Sequence, residues 1–230
     1  MDASVALLGG NEFRTGCENL DLALIESIQM DNPKVVIVPT AAKKKPDLAV
    51  SNGVTYFRQL GITAYGLPIL DQDDANDESL IDQLHDASIV YFTGGHPAHI
   101  LHALQGSKLV DYLRYLKPKG TIVAGSSAGA MVLGSIMWLR ESRKWVNGLD
   151  IAQGIAVLPH HEEGDPGTIS QWLDKTQVPK HVSVFGIDSM TGCLSTPKGW
   201  KIIGPGSVTI YQNGSWQTLW ADQIKPYIND

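Results

Sequence analysis

Thr121-Ile122-Val123-Ala124-Gly125-Ser126-Ser127-Ala128-Gly129-Ala130-Met131-Val132-Leu133 runs from an apolar, β-prone segment through a turn of small residues into a helix-prone one. Its centre fits G-x-S-x-G with Ser127 in the middle. A serine so placed sits on a sharp strand-to-helix turn with its hydroxyl pushed out at the end of a sheet. Small neighbours suit a backbone that doubles back tightly. The unpaired N–H groups and positive dipole end of the following helix would favour an anion at Ser127. Turns of this composition also serve as plain βα connections or phosphate cradles. The glycine spacing of a dinucleotide site and the Gly-Lys-Ser/Thr of a P-loop are both missing.

Upstream, short apolar strands alternate with helical segments. Val5–Leu8 ends in Gly9-Gly10 and is followed by a helix over Cys17–Met30. Val35–Val38 precedes a helix across Leu48–Leu60. Ile62–Leu67 reads as a third strand and Leu80–Leu84 as a short helix. Ile89–Phe92 ends in Thr93-Gly94-Gly95, and one helix is expected from Pro97 to about Leu116, with Pro97 at a first helical position. Continuous apolar strands alternating with helices predict an α/β protein, a mostly parallel sheet with helices on both faces. Gly9-Gly10, Gly94-Gly95 and Ser127 then share the rim at the strand carboxyl ends, where ligands of such sheets bind. After about residue 190, short runs broken by Pro-Gly, Pro-Lys-Gly and Asn213-Gly214 predict a β-rich tail.

The chain has 230 residues, 18% of them charged and 43% hydrophobic, which suits one globular domain over residues 1–230 with about 190–230 as an extension. A formal net charge of −6 and the absence of a long basic block argue against nucleic acid as partner. Lys43-Lys44-Lys45 reads as a solvated loop. The N-terminus has no signal-peptide pattern and no window reaches a membrane span. Cys17 and Cys193 form no paired motif, so a reduced, cytoplasmic protein is expected. Tryptophans and tyrosines in the tail suit a homodimer interface.

A serine hydroxyl needs a base within reach. His160 and His161 follow Gly154–Pro159, the next expected strand, and alternation lets only one of them face Ser127. Gly94 and Gly95, at a strand end ahead of a helix, can aim N–H groups at an oxyanion, with Ala128 N–H as a further donor. His96 is expected to cap that helix at the same rim, as part of the binding surface. A His99/His102 metal pair lacks the carboxylate or cysteine that would complete it, so neither a metal nor another cofactor is expected.

Phe92-Thr93-Gly94-Gly95, Gly125–Ala130, Pro159-His160 and Gly186-Ile187-Asp188, with Leu7–Gly10 and Val38–Ala41, resemble the peptidase E and cyanophycinase family of serine peptidases. The resemblance spans the chain to about residue 195. It implies the flavodoxin-like, three-layer fold of class I glutamine amidotransferases. It also implies a serine hydrolase of small peptides or (iso)aspartyl dipeptides, with Ser127 as nucleophile, His160 as base and the N–H groups of Gly95 and Ala128 as oxyanion hole. The family's third member is commonly a glutamate three residues after the glycine matched by Gly186, where this chain has Ser189. Asp188 is the nearest substitute, although alternation turns it away; Glu162, Glu163, Asp165 and Asp150 are others. With Ser189 at that position, a member that binds a peptide or small amide without turnover is the alternative reading. Chain order Ser127 then His160 disfavours an α/β-hydrolase-type esterase, and Ser127 in place of cysteine disfavours amidotransferase chemistry.

Overall fold

The computed structural model describes residues 4–28 and 31–227. In chain order the elements are β1 (Val5–Leu8), α1 (Glu18–Glu26), β2 (Lys34–Val38), α2 (Pro46–Gln59), β3 (Thr63–Gly66), α3 (Glu78–Ile81), β4 (Ile89–Phe92), α4 (Pro97–Leu104), α5 (Lys108–Leu116), β5 (Ile122–Ser126) and α6 (Ala128–Leu133). They continue with β6 (Ile136–Leu139), β7 (Lys144–Asn147), β8 (Ile155–Pro159), α7 (Pro166–Lys175), β9 (Ser183–Ile187), β10 (Gly192–Thr196), β11 (Gly199–Ile203), β12 (Ser207–Gln212), β13 (Ser215–Trp220) and β14 (Ile224–Lys225). The helix expected over Cys17–Met30 is α1, and Met30 lies outside the described residues.

An eight-stranded sheet runs in the order β14-β11-β10-β1-β5-β4-β2-β3. Its five N-terminal strands are parallel. Strict side-chain alternation splits its core in two. Val5, Leu7, Val36, Val38, Val90, Phe92 and Val123 face one layer, with α4, α5 and α6. Ala6, Leu8, Val35, Ile37, Ile89, Tyr91, Ile122 and Ala124 face the other, with α1 and α2. Both faces are covered, which is why these strands read as unbroken apolar runs.

Two features differ from the sequence expectation. The segment 97–116 is two helices: Gly106 takes a positive φ of 72° and the Ser107 hydroxyl caps α5 by accepting the Val110 N–H. The strand before His160 joins a second sheet, in the order β13-β12-β9-β8, instead of the main one. Between β5 and β8 the chain offers only the short α6 and the β6–β7 hairpin, no crossover helix of the kind that adds a parallel neighbour. The β1 edge is taken instead by antiparallel β10. The β-rich tail therefore feeds both sheets: β10, β11 and β14 extend the main one, and β12 and β13 the second. One face of the second sheet packs into the main core through Ile155, Val157, Phe185 and Ile187. Its other face packs on α7 and the hairpin through Ala156, Val184, Leu173, Trp145 and Trp172. Among the described residues, no helix is long and apolar enough to cross a membrane.

Candidate active site

β1, β4 and β5 end level with one another: Leu8 pairs with Ser126, and Phe92 with Gly125. The turns that follow therefore meet at one rim. The tightness of the Ser127 turn explains its glycines. A Cβ on Gly125 would sit 2.4 Å from the Gly129 carbonyl oxygen, and one on Gly129 would sit 2.4 Å from that of Phe92. Ser127 itself holds φ 50° and ψ −113°, a conformation costing about 1–3 kcal/mol that persists only where its surroundings impose it. Its N–H donates to the Leu8 carbonyl at 3.0 Å, locking the turn to β1.

His160, also at positive φ (55°), leaves β8 and donates its N–H to the Gly9 carbonyl at 2.9 Å. This bond carries the end of the second sheet to the rim of the first. His160 Nε2 lies 3.0 Å from Ser127 Oγ. On the other side of the ring, Nδ1 lies 3.0 Å from Ser189 Oγ. Ser189 in turn donates its hydroxyl to Glu162 Oε1 at 2.8 Å and its backbone N–H to Oε2 at 2.9 Å. Glu162 is held below the usual carboxylate range: partial burial pushes it up, but the Ser189 N–H, its own N–H, the Ser189 hydroxyl and the nearby His160 outweigh that. An ionised carboxylate only accepts, so the Ser189 proton must point to Glu162. The Ser189 oxygen is then left to accept from His160 Nδ1–H. That fixes the tautomer whose Nε2 lone pair faces Ser127.

Asp188, the expected third member, is not in this chain of bonds. Its Oδ2 accepts from the Ser207 N–H at 2.8 Å and hydroxyl at 2.9 Å, and its Oδ1 is 3.9 Å from His161 Nδ1. Strand alternation turns it to the opposite side from Ser189. His161 is likewise turned from Ser127: it is buried, bonds Tyr211 Oη through Nε2 at 2.8 Å, and packs on Gly186, where a Cβ would meet its ring at 2.3 Å. Burial lowers its pKa. Asp150 accepts from the Ser135 hydroxyl and Asp165 caps α7; among the described residues, Glu162 is the acid that hydrogen bonds connect to His160, whereas Glu163 makes no such bond. Its position two residues after His160 in the same loop makes it a candidate in the sequence but does not separate it from Glu163.

Gly94 and Gly95 also divide. The Gly94 N–H donates to Glu12 Oε1 at 2.7 Å, so it is already used. The N–H groups of Gly95 and Ala128 have no protein acceptor among the described residues. Gly95 adopts φ 149° against Ala41, whose carbonyl oxygen would lie 2.1 Å from a Cβ there. His96 caps α4, accepting the His99 N–H on Nδ1 at 3.3 Å, and its Nε2 lies 3.9 Å from Glu141 in the β6–β7 turn. His99 Nε2 instead bonds the Leu70 carbonyl at 3.1 Å, away from His102. Glu12, which the sequence reading passed over, accepts the Ser126 hydroxyl on its second oxygen at 2.7 Å.

A doubly wound sheet with a serine on a strained elbow and a histidine in contact with it defines the class of α/β serine hydrolases. The sequence model described as peptidase family S51 matches residues 5–192, and the chain belongs to that family. It is thus a serine-type peptidase of small peptides, a class that works through an acyl-enzyme. The chain is similar over 99% of its length to 98% of a crystallised peptidase from an acI-B1 Actinobacterium, at 24% identity and TM-score 0.83. It is also similar over 89% of its length to all of a putative peptidase E protein from Listeria monocytogenes EGD-e, at 15% identity and TM-score 0.63. No match is found among curated proteins.

Proposed function

We propose that Ser127 is the nucleophile, His160 the general base, and Ser189 with Glu162 a two-part substitute for the orienting acid. The observation that carries this reading is the unbroken line of bonds from Ser127 Oγ through both nitrogens of His160 to Ser189 and Glu162. Ser127 Oγ attacks the carbonyl carbon of the scissile amide while its proton passes to His160 Nε2. The oxyanion is received by the N–H groups of Gly95 and Ala128. The imidazolium keeps its Nδ1–H on Ser189 Oγ, with the Glu162 charge one bond further on. Collapse of the tetrahedral adduct breaks the C–N bond, and the leaving amine takes the proton from Nε2. A water then gives its proton to Nε2, attacks the acyl carbon and releases the acid, returning the proton to Ser127.

The alternative of a binder without turnover draws on Ser189 standing where an acid is usual. Glu162 weakens that argument, because the carboxylate is supplied one hydroxyl away. Cleavage profiling of a mixed peptide library, β-aspartyl dipeptides included, with wild type and Ser127→Ala side by side tests the reading. Cleavage lost in the variant is expected. Cleavage that survives Ser127→Ala, or none by either protein, overturns it.

A further inference from the structure

We infer that Glu12 is a specificity-determining residue that selects acyl groups carrying a positive charge beside the scissile carbonyl, such as an N-terminal residue with a free ammonium. The inference rests on the assignment of Ser127 as nucleophile. Glu12 stands in the turn after β1 and is bonded to Gly94 and to Ser126, the residue before the nucleophile. A Cβ built on Gly94 would lie 3.0 Å from Glu12 Oε1 and 3.2 Å from the Ser127 Cβ, so the carboxylate and the nucleophile flank one glycine. Its two bonds, from the Gly94 N–H and the Ser126 hydroxyl, are to neutral donors. They leave the negative charge unbalanced. Among the described residues no Lys, Arg or His forms an ion pair with it.

The placement is held by strain. Asn11 and Phe13, on either side of Glu12, both take φ 61°. Phe13 is clamped among Tyr56, Phe57 and Tyr91, with ring centroids 5.0–5.9 Å away, and the Asn11 carbonyl accepts from Cys17 Sγ at 3.2 Å. Two left-handed residues within three positions are costly, and they persist where the fold imposes them. Here they aim a half-buried carboxylate at the nucleophile turn, where an acyl group must sit once Ser127 has attacked. A cation on that acyl group would supply the missing countercharge; a carboxylate would be repelled.

Hydrolysis of three p-nitrophenyl esters of alanine tests it: free amine, with a positive charge on the α-nitrogen; N-acetyl, with none; and N-succinyl, with a negative charge at the far end of the succinyl arm. At roughly 6 Å and an effective dielectric of roughly 40, the ammonium is worth about tenfold in kcat/KM, and the more distant carboxylate less. The wild type should follow that order, mainly through KM. Glu12→Gln keeps an oxygen for the Gly94 N–H and a donor for the Ser126 oxygen, and should flatten the series. A merely structural role would lower all three esters alike, which overturns the inference. So does a flat series in the wild type, or a series that Glu12→Gln leaves intact. Turnover that survives Ser127→Ala, or no turnover of any ester, overturns the assignment of the nucleophile itself.

Discussion

Replacing Glu162 with glutamine keeps the side chain's shape and removes the group that dictates where the Ser189 proton goes. Ser189 offers Glu162 two donors, its N–H and its hydroxyl, and a carboxylate accepts both. A glutamine has one acceptor and one donor at that end. If its oxygen takes the hydroxyl, its NH₂ faces the Ser189 N–H. If its NH₂ faces the Ser189 oxygen, the Ser189 proton turns to His160 Nδ1 and moves the imidazole proton to Nε2, the wrong tautomer for a base. The lost charge adds to this. A carboxylate about 5 Å from the imidazolium is worth about 3 kcal/mol at an effective dielectric of about 20, and about half that where solvent screens it as it does at exposed Glu162. The expected result is a fall in kcat of roughly 10²-fold with KM little changed, short of the ~10⁴-fold seen when an acid directly on the histidine is replaced. Ester hydrolysis under saturating substrate measures it. Because Ser189 and Glu162 act in series, the double variant Ser189→Ala/Glu162→Gln should be no slower than Ser189→Ala alone. A Glu162→Gln enzyme within twofold of wild type, or single effects that simply add, would refute the relay.

Three other perturbations have equally definite outcomes. Gly10→Ala should cost at least 10²-fold in kcat, because the new Cβ at φ 124° would lie 2.1 Å from His160 Cε1; circular dichroism should show the fold retained, and near-normal turnover would contradict the packing. Ser127→Gly should be inactive yet more stable than Ser127→Ala by about 1 kcal/mol, since glycine relieves the strained elbow; calorimetry showing equal melting temperatures counts against strain there. Asp21 is buried in α1 with no hydrogen-bond partner on either oxygen among the described residues. Desolvation, only partly offset by the nearby Tyr56 hydroxyl, pushes its pKa up to about 7. A raised carboxyl contributes fully below its unfolded value near 3.8 and loses that contribution as pH rises to about 7. Asp21→Asn should therefore gain stability over wild type across that window, by roughly 4 kcal/mol at most, and parallel melting profiles from pH 4 to 8 would refute it.

Much of this architecture is written locally. The apolar runs at β1, β2, β4 and β5 are unbroken because both faces of the sheet are covered, and G-x-S-x-G follows from two backbone approaches that no Cβ could survive. Chain order and strand ends narrow the base for Ser127 to His160 or His161, and the family resemblance selects His160. What stayed hidden depends on contacts between distant segments. Whether β8 joins the first sheet or a second turns on how the β1 edge is filled, by a strand that comes after it in the chain. Glu162 is one of several acids around His160, and only the positive φ of His160 and the Ser189 bond single it out. Asp188 is an acid beside the expected position, but its carboxylate bonds Ser207 and lies near His161. Glu12 carries no motif of its own; its meaning comes from Gly94 and Ser126, residues on two other strands' ends.

The most direct test of the account is where a fluorophosphonate, which traps activated serines, attaches to the protein. Peptide-mapping mass spectrometry should find one adduct, on Ser127, forming at least tenfold more slowly in His160→Ala. An adduct on another residue, an unmodified Ser127, or labelling indifferent to His160→Ala would contradict it.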